Sequence, residues 1–170
     1  MHTNEQRLEQ LAAELGQQLL LAKAQVTTAE SCTGGGIAEA ITRIAGSSAW
    51  FEAGYVTYSN RQKSQQLDVP PALFESVGAV SSAVVEAMVR GAQRRSDARF
   101  AVAVSGVAGP TGGSPEKPVG TVWLAWGDGE LLYSLRCWFA GDRQAVRCQT
   151  VETALRGLIR LAGGEKPDAG

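Results

Sequence analysis

Apolar positions Leu8, Leu11, Leu15, Leu19 and Leu20 recur every three or four residues between about Glu5 and Lys23, which predicts a helix with one buried stripe. The β-branched stretch VTTA (26–29) reads as a short strand. ESCTGGG follows it, and then Ile37, Ala40, Ile41 and Ile44 return to helical spacing, with Gly46 as a C-cap. The pattern is strand, glycine-rich turn, helix. Residues 50–58 (WFEAGYVTY) predict a second strand and Asn60 to Leu67 a short helix, stopped by Pro70 and Pro71, which open another brief turn. Ser81 or Ser82 caps a helix carrying Val84, Val85, Met88 and Val89 to near Arg95. FAVAV (100–104) is apolar throughout, as in a strand buried on both faces. Val122 to Trp126 and Leu131 to Phe139, separated by GDGE, read as an antiparallel hairpin. Asp142 caps a last helix with Val146, Val151, Leu155, Leu158 and Ile159 on its apolar side.

Strands alternating with helices and closing on a hairpin predict an α/β fold. The expected form is a three-layer sandwich with a mixed, mostly parallel sheet and helices on both faces. The 170 residues suit a single domain, expected over 6–162, with the tail GGEKPDAG (163–170) expected to be disordered.

Composition removes several function classes. A net charge of −1 gives no broad electrostatic case for nucleic acid or an anionic membrane as partner. No apolar run reaches the roughly 20 residues of a membrane span, and the N-terminus lacks a basic start and apolar core, so a cytoplasmic location is expected. Cys32, Cys137 and Cys148 show neither CxxC spacing nor a disulfide framework. The one histidine, His2, sits at the terminus. A Ser-His-Asp or Cys-His mechanism and a histidine-based zinc site are therefore not expected, nor is any metal or cofactor. A hydrolase built on this chain needs Lys, Tyr, Asp or Glu as its base.

Candidate chemistry lies in loops that follow strands, where ligands of open α/β sheets bind. In the first, Glu30-Ser31-Cys32-Thr33-Gly34-Gly35-Gly36, glycines at a helix start admit a ligand to the backbone, and the free N–H groups favour an anion. A tight turn with a helix cap is the equal alternative. In the second, Ser105-Gly106-Val107-Ala108-Gly109-Pro110-Thr111-Gly112-Gly113, the length and glycine content point to function. Lys117 in its far half is equally a phosphate ligand or a solvated lysine. Tyr58 and Lys63 could reach the same strand end, although spacing alone favours a half-buried tyrosine beside a solvated lysine. Arg143 and Arg147, four apart on one helix face, could clamp a phosphate, although a solvated face is the more favoured reading of the spacing.

Five blocks in order, TAESCTGG, GSSAWFEAGYVTYSNRQK, GAVS, SGVAGPTGGSPEKPVGTVW and FAGDRQAVR, resemble the CinA C-terminal domain family over about residues 6–160, and within it the stand-alone nicotinamide-nucleotide amidohydrolases. The resemblance implies deamidation of nicotinamide mononucleotide to nicotinic acid mononucleotide and ammonia, in pyridine nucleotide salvage. It implies Ser31 as nucleophile, with Tyr58 and Lys63 in the catalytic set. Glu30, Thr33, Gly34, Gly35, Gly36, Ser105, Gly106, Ala108, Gly109, Arg143 and Arg147 are the expected substrate-binding positions. Cys32 is a rival nucleophile, because a thiolate at a helix N-terminus is activated. A non-catalytic nucleotide-binding module is the alternative function. A homo-oligomer, a dimer, is expected, with Trp123, Trp126 and Trp138 as either interface or core.

Overall fold

The computed structural model describes residues 3–167. His2 and the last three residues of the expected tail lie outside them. Six α-helices and five strands run in the order α1 (Asn4–Ala22), β1 (Val26–Glu30), α2 (Gly36–Thr42), β2 (Phe51–Val56), α3 (Asn60–Leu67), α4 (Ala72–Ser76), α5 (Ser82–Ser96), β3 (Phe100–Gly106), β4 (Thr121–Asp128), β5 (Leu131–Trp138) and α6 (Arg143–Ala162). A 3-10 turn (Ser47–Ala49) precedes β2.

The sheet order is β2-β1-β3-β4-β5. β1 pairs parallel with β2 and β3, whereas β3–β4 and β4–β5 are antiparallel. Parallel and antiparallel pairings are thus equal in number, and the expected parallel bias survives only in strand direction, with β4 alone reversed. The reason is the hairpin. Its two-residue connection can join only antiparallel neighbours, and β3 reaches β4 through a loop without a crossover helix.

Alternation along β3 separates the two helical layers. Phe100, Val102 and Val104 face a core with α1, α2 and α6, built also from Leu15, Leu19, Ile41, Trp126 and Leu155. Ala101 and Ala103 face the other layer with Ala29, Ala125, Val85, Met88 and Val89. Large side chains fill the first layer. The alanines let α5 lie close on the second, where a Cβ at Gly127 would strike Val89. Each fully buried Leu or Val contributes about 1.5–3 kcal/mol.

Several local expectations shift. Leu20 is 57% exposed rather than part of the α1 stripe, because its neighbour Leu19 already occupies the buried side. Gly46 does not cap α2. That helix ends at Thr42, and Gly46, at φ +85°, opens the 3-10 turn instead. Ser81 and not Ser82 caps α5, its hydroxyl accepting from Val84 N–H. Trp126 is core, with its indole donating to Ala154 O, whereas Trp138 is 63% exposed. Of the expected tail, Glu165 N–H donates to Arg160 O and Pro167 is buried, so residues 163–167 fold back on α6.

Candidate active site

β1 ends between two neighbours. Thr57 N–H donates to Glu30 O at 2.9 Å and Ser31 N–H to Val104 O at 3.2 Å, so the carboxyl ends of β2, β1 and β3 are held together. Ser31 is the first residue beyond the ladder. Tyr58 and Ser59 leave β2, and the Ser59 hydroxyl caps α3 by accepting from Gln62 N–H. Within α3, Lys63 precedes Leu67 by four residues, so the two share one face. Both are buried, Lys63 to 1% exposure. A lysine on the stripe of the only leucine in that helix was the signal for burial that spacing arguments about Tyr58 overlooked.

The Ser31 and Lys63 side chains converge on the backbone of Tyr58, with one exchange of roles. Lys63 Nζ donates to the backbone carbonyl of Tyr58 at 3.0 Å, and Ser31 Oγ approaches the same oxygen at 3.5 Å. The backbone of Tyr58, rather than its hydroxyl, therefore orients Lys63. The hydroxyl turns outward and accepts from Arg143 Nη2 at 3.1 Å. Burial lowers the Lys63 amine to about 8, with the neighbouring Cys32 thiol opposing weakly. Burial raises the Cys32 thiol to about 12. At neutral pH the amine is thus partly free and the thiol protonated, which counts against Cys32 as nucleophile.

A cleft of about 330 Å³ opens above Ser31. Ser31, Tyr58, Lys63, Ser105, Gly106, Ala108, Gly109 and Arg143 line it as expected, and Cys32 lines it beside them. Val107, Thr111, Gly112 and Gly113 of the second candidate loop line it as well, and so do Asn60, Ala79 and Val80; none of these seven was among the expected binding positions. Ala79 and Val80 belong to the GAVS block, whose small apolar residues carry no chemical signal in sequence.

Glu30, Thr33, Gly34, Gly35, Gly36 and Arg147, also among the expected binding positions, do not line this cleft. The anion at the start of α2 is the protein's own. The Glu30 carboxylate, fully buried, accepts from Thr33 Oγ1 at 2.5 Å, Ile37 N–H at 2.8 Å and Ala38 N–H at 3.0 Å. Burial pushes the Glu30 carboxyl above its ordinary value, against the pull of these hydrogen bonds. Arg147 donates to Thr33 O at 3.1 Å and lines, together with Arg143, the depression beside the cleft rather than the cleft itself. Lys117 does not line the cleft. Its Nζ donates to Val77 O at 2.6 Å and straps the glycine-rich loop to the 77–80 wall. Among the described residues no cluster of three or more metal-ligating side chains occurs.

The CinA C-terminal domain model matches residues 8–162. The nicotinamide-nucleotide amidohydrolase PncC of Pseudomonas putida is 74% identical over 151 residues, covering 89% of this chain and 94% of that protein. The protein of the same name from Escherichia coli K12 is 53% identical over 153 residues, covering 89% and 92%. Among solved structures, the competence/damage inducible protein CihA from Agrobacterium tumefaciens superposes with a TM-score of 0.89 at 44% identity, covering 91% of this chain and 95% of that one. A CinA superfamily protein from Klebsiella pneumoniae gives 0.89 at 36% identity, covering 92% and 98%. With a family model spanning nearly all of the chain and a fold that superposes on solved members, the chain belongs to the CinA C-terminal domain family.

Proposed function

We infer that this protein is a nicotinamide-nucleotide amidohydrolase, hydrolysing nicotinamide mononucleotide to nicotinic acid mononucleotide and ammonia in pyridine nucleotide salvage. The observation that carries the reading is the meeting of Ser31 and a desolvated Lys63 at one carbonyl oxygen on the floor of a cleft at the strand ends. The names of the 74% and 53% identical relatives support the substrate.

A carboxamide is a poor electrophile, so an activated nucleophile is required. Neutral Lys63 takes the Ser31 hydroxyl proton as Oγ bonds to the carboxamide carbon. The tetrahedral oxyanion collapses, the C–N bond breaks, and the nitrogen leaves as ammonia with the proton returned by Lys63. Water, deprotonated by the same amine, then cleaves the ester and restores Ser31. Lowering the amine from its ordinary 10.5 to about 8 makes its neutral form roughly 300-fold more abundant at pH 7. The Cys32 N–H, beside the nucleophile, has no backbone carbonyl partner among the described residues and would take the oxyanion. With the α2 start filled by Glu30, the substrate phosphate is left to Arg143, the cation at the cleft rim.

The reading also sets the protein in the cytoplasm and as a homodimer. No helix among the described residues is long and apolar enough to cross a membrane. β5 is an edge strand with Leu131 and Trp138 exposed, the surface a second subunit would pair with. Light scattering on the purified protein measures the assembly.

The deciding experiment is ammonia release from nicotinamide mononucleotide, with chelator present, by wild type and Ser31→Ala. Release by wild type alone is expected. No release by folded wild type would leave a nucleotide-binding module or another amide substrate.

A further inference from the structure

Two surface depressions meet at Arg143. The serine cleft, about 330 Å³, and its neighbour, about 540 Å³, share Ala108 and Arg143 in their linings. The neighbour is otherwise walled by Pro110, Val119, Gly141, Asp142, Gln144 and Arg147. Arg143 forms the ridge between them. From the first turn of α6 its Nη1 donates to Gly109 O at 2.8 Å on the glycine-rich loop, and its Nη2 to Tyr58 Oη at 3.1 Å on the opposite rim. The side chain thereby bridges two segments 51 residues apart in sequence.

A guanidinium carries five N–H donors in a fixed fork. Two are engaged here, both by neutral acceptors, so three remain. None of the ion pairs among the described residues involves Arg143. Arg143 thus stands without an ion-pair partner among the described residues, at the end of a cleft whose floor holds the nucleophile.

We propose that Arg143 is a specificity-determining residue that restricts the cleft to pyridine nucleotides ending in a phosphomonoester. The neighbouring depression is the space that any further group esterified to that phosphate would need. The proposal rests on the amidohydrolase reading above. A terminal phosphate presents three free oxygens and close to two negative charges, which suit the remaining donors of the fork. A phosphate esterified a second time presents fewer free oxygens and less charge. Its extra group must also pass the Arg143 bridge, which requires releasing Gly109 O and Tyr58 Oη. A riboside has no anion to offer at all.

The test compares ammonia release from nicotinamide mononucleotide, nicotinamide riboside and nicotinamide adenine dinucleotide by wild type, Arg143→Ala and Arg143→Lys. The dinucleotide is also measured as a competitive inhibitor of mononucleotide turnover. Wild type is expected to favour the mononucleotide. In Arg143→Ala, kcat/KM for the mononucleotide falls by about 10- to 100-fold, the loss of a charge-assisted hydrogen bond, chiefly through KM. Riboside turnover falls by less than mononucleotide turnover, since the riboside has no phosphate contact to lose, and the dinucleotide gains on the mononucleotide both as substrate and as inhibitor. Arg143→Lys keeps the charge but not the bridge, so it recovers part of the mononucleotide affinity while discrimination stays relaxed. An equal loss on all three substrates, by variants whose circular dichroism and melting match wild type, would overturn the proposal while leaving the amidohydrolase reading intact. Wild type inactive on all three would instead remove that reading, and the proposal with it.

Discussion

The Lys63 ammonium donates to the carbonyl oxygen of Tyr58, five residues earlier, at 3.0 Å, and it does so with its side chain 99% removed from solvent. One neutral acceptor does not replace the hydration of a full charge, so the site favours the free amine. The lowered value of about 8 predicts that kcat/KM rises about tenfold per pH unit up to a plateau with an apparent pKa near 8. A pH profile of initial rates checks this.

The same burial has a consequence for stability. Between about pH 8 and 10.4 the unfolded chain holds a proton on Lys63 that the folded chain has released, so this residue makes stability rise with pH there and leaves it lowest and flat below pH 8. The shift corresponds to about 3 kcal/mol against folding at neutral pH. Lys63→Met, which keeps the volume without the charge, is expected to stabilise the protein at pH 7 by about 1–3 kcal/mol while abolishing turnover. Urea denaturation at pH 7 and pH 10 measures it, and the difference between variant and wild type should shrink at the higher pH.

Cys32 lies next to the nucleophile, yet burial holds its thiol at about 12. Almost no thiolate exists at neutral pH, so Cys32→Ala is expected to keep most of the activity, and a thiol-alkylating reagent to leave the rate unchanged. Loss of activity in Cys32→Ala with survival in Ser31→Ala would reverse the assignment.

Glu30 closes the start of α2 from within. Glu30→Gln retains the shape but loses the charge-assisted acceptance from Ile37 N–H and Ala38 N–H. A loss of about 1–3 kcal/mol is expected in chemical denaturation, with KM for the nucleotide little changed. A raised KM at unaltered stability would return Glu30 to the ligand.

Gly91 on α5 has no room for a side chain, since a Cβ there would collide with the Leu67 carbonyl at the end of α3. Gly91→Ala is expected to destabilise by about 1–3 kcal/mol through overpacking. It is also expected to lower kcat, because α3 carries Lys63 and must move to make space. Calorimetry and kinetics on the one variant separate the two effects.

Nearly every element of this fold was legible in the order of residues, because helix and strand boundaries depend on local matters. The 3.6-residue spacing of Leu8, Leu11 and Leu15, the capping hydroxyls of Ser59 and Ser81, the capping carboxylate of Asp142 and the two-residue turn before β5 act within a few residues of themselves. The three-layer α/β class followed from their sequence. The family followed from motif blocks in order, which also pointed to Ser31, Tyr58 and Lys63. Tertiary structure decided what depends on partners distant in sequence. It buried Lys63 beside the sheet and thereby lowered its amine. It gave the orienting role to the Tyr58 backbone and turned the hydroxyl to Arg143, 85 residues away. It filled the α2 start with Glu30 and so withdrew the most inviting anion site in the sequence. It placed Arg143 at the rim of the serine cleft and left Arg147 outside it, although helical spacing puts both on one face. Spacing along one helix fixes a direction, but which carbonyl or cavity lies in that direction depends on other elements packed across it.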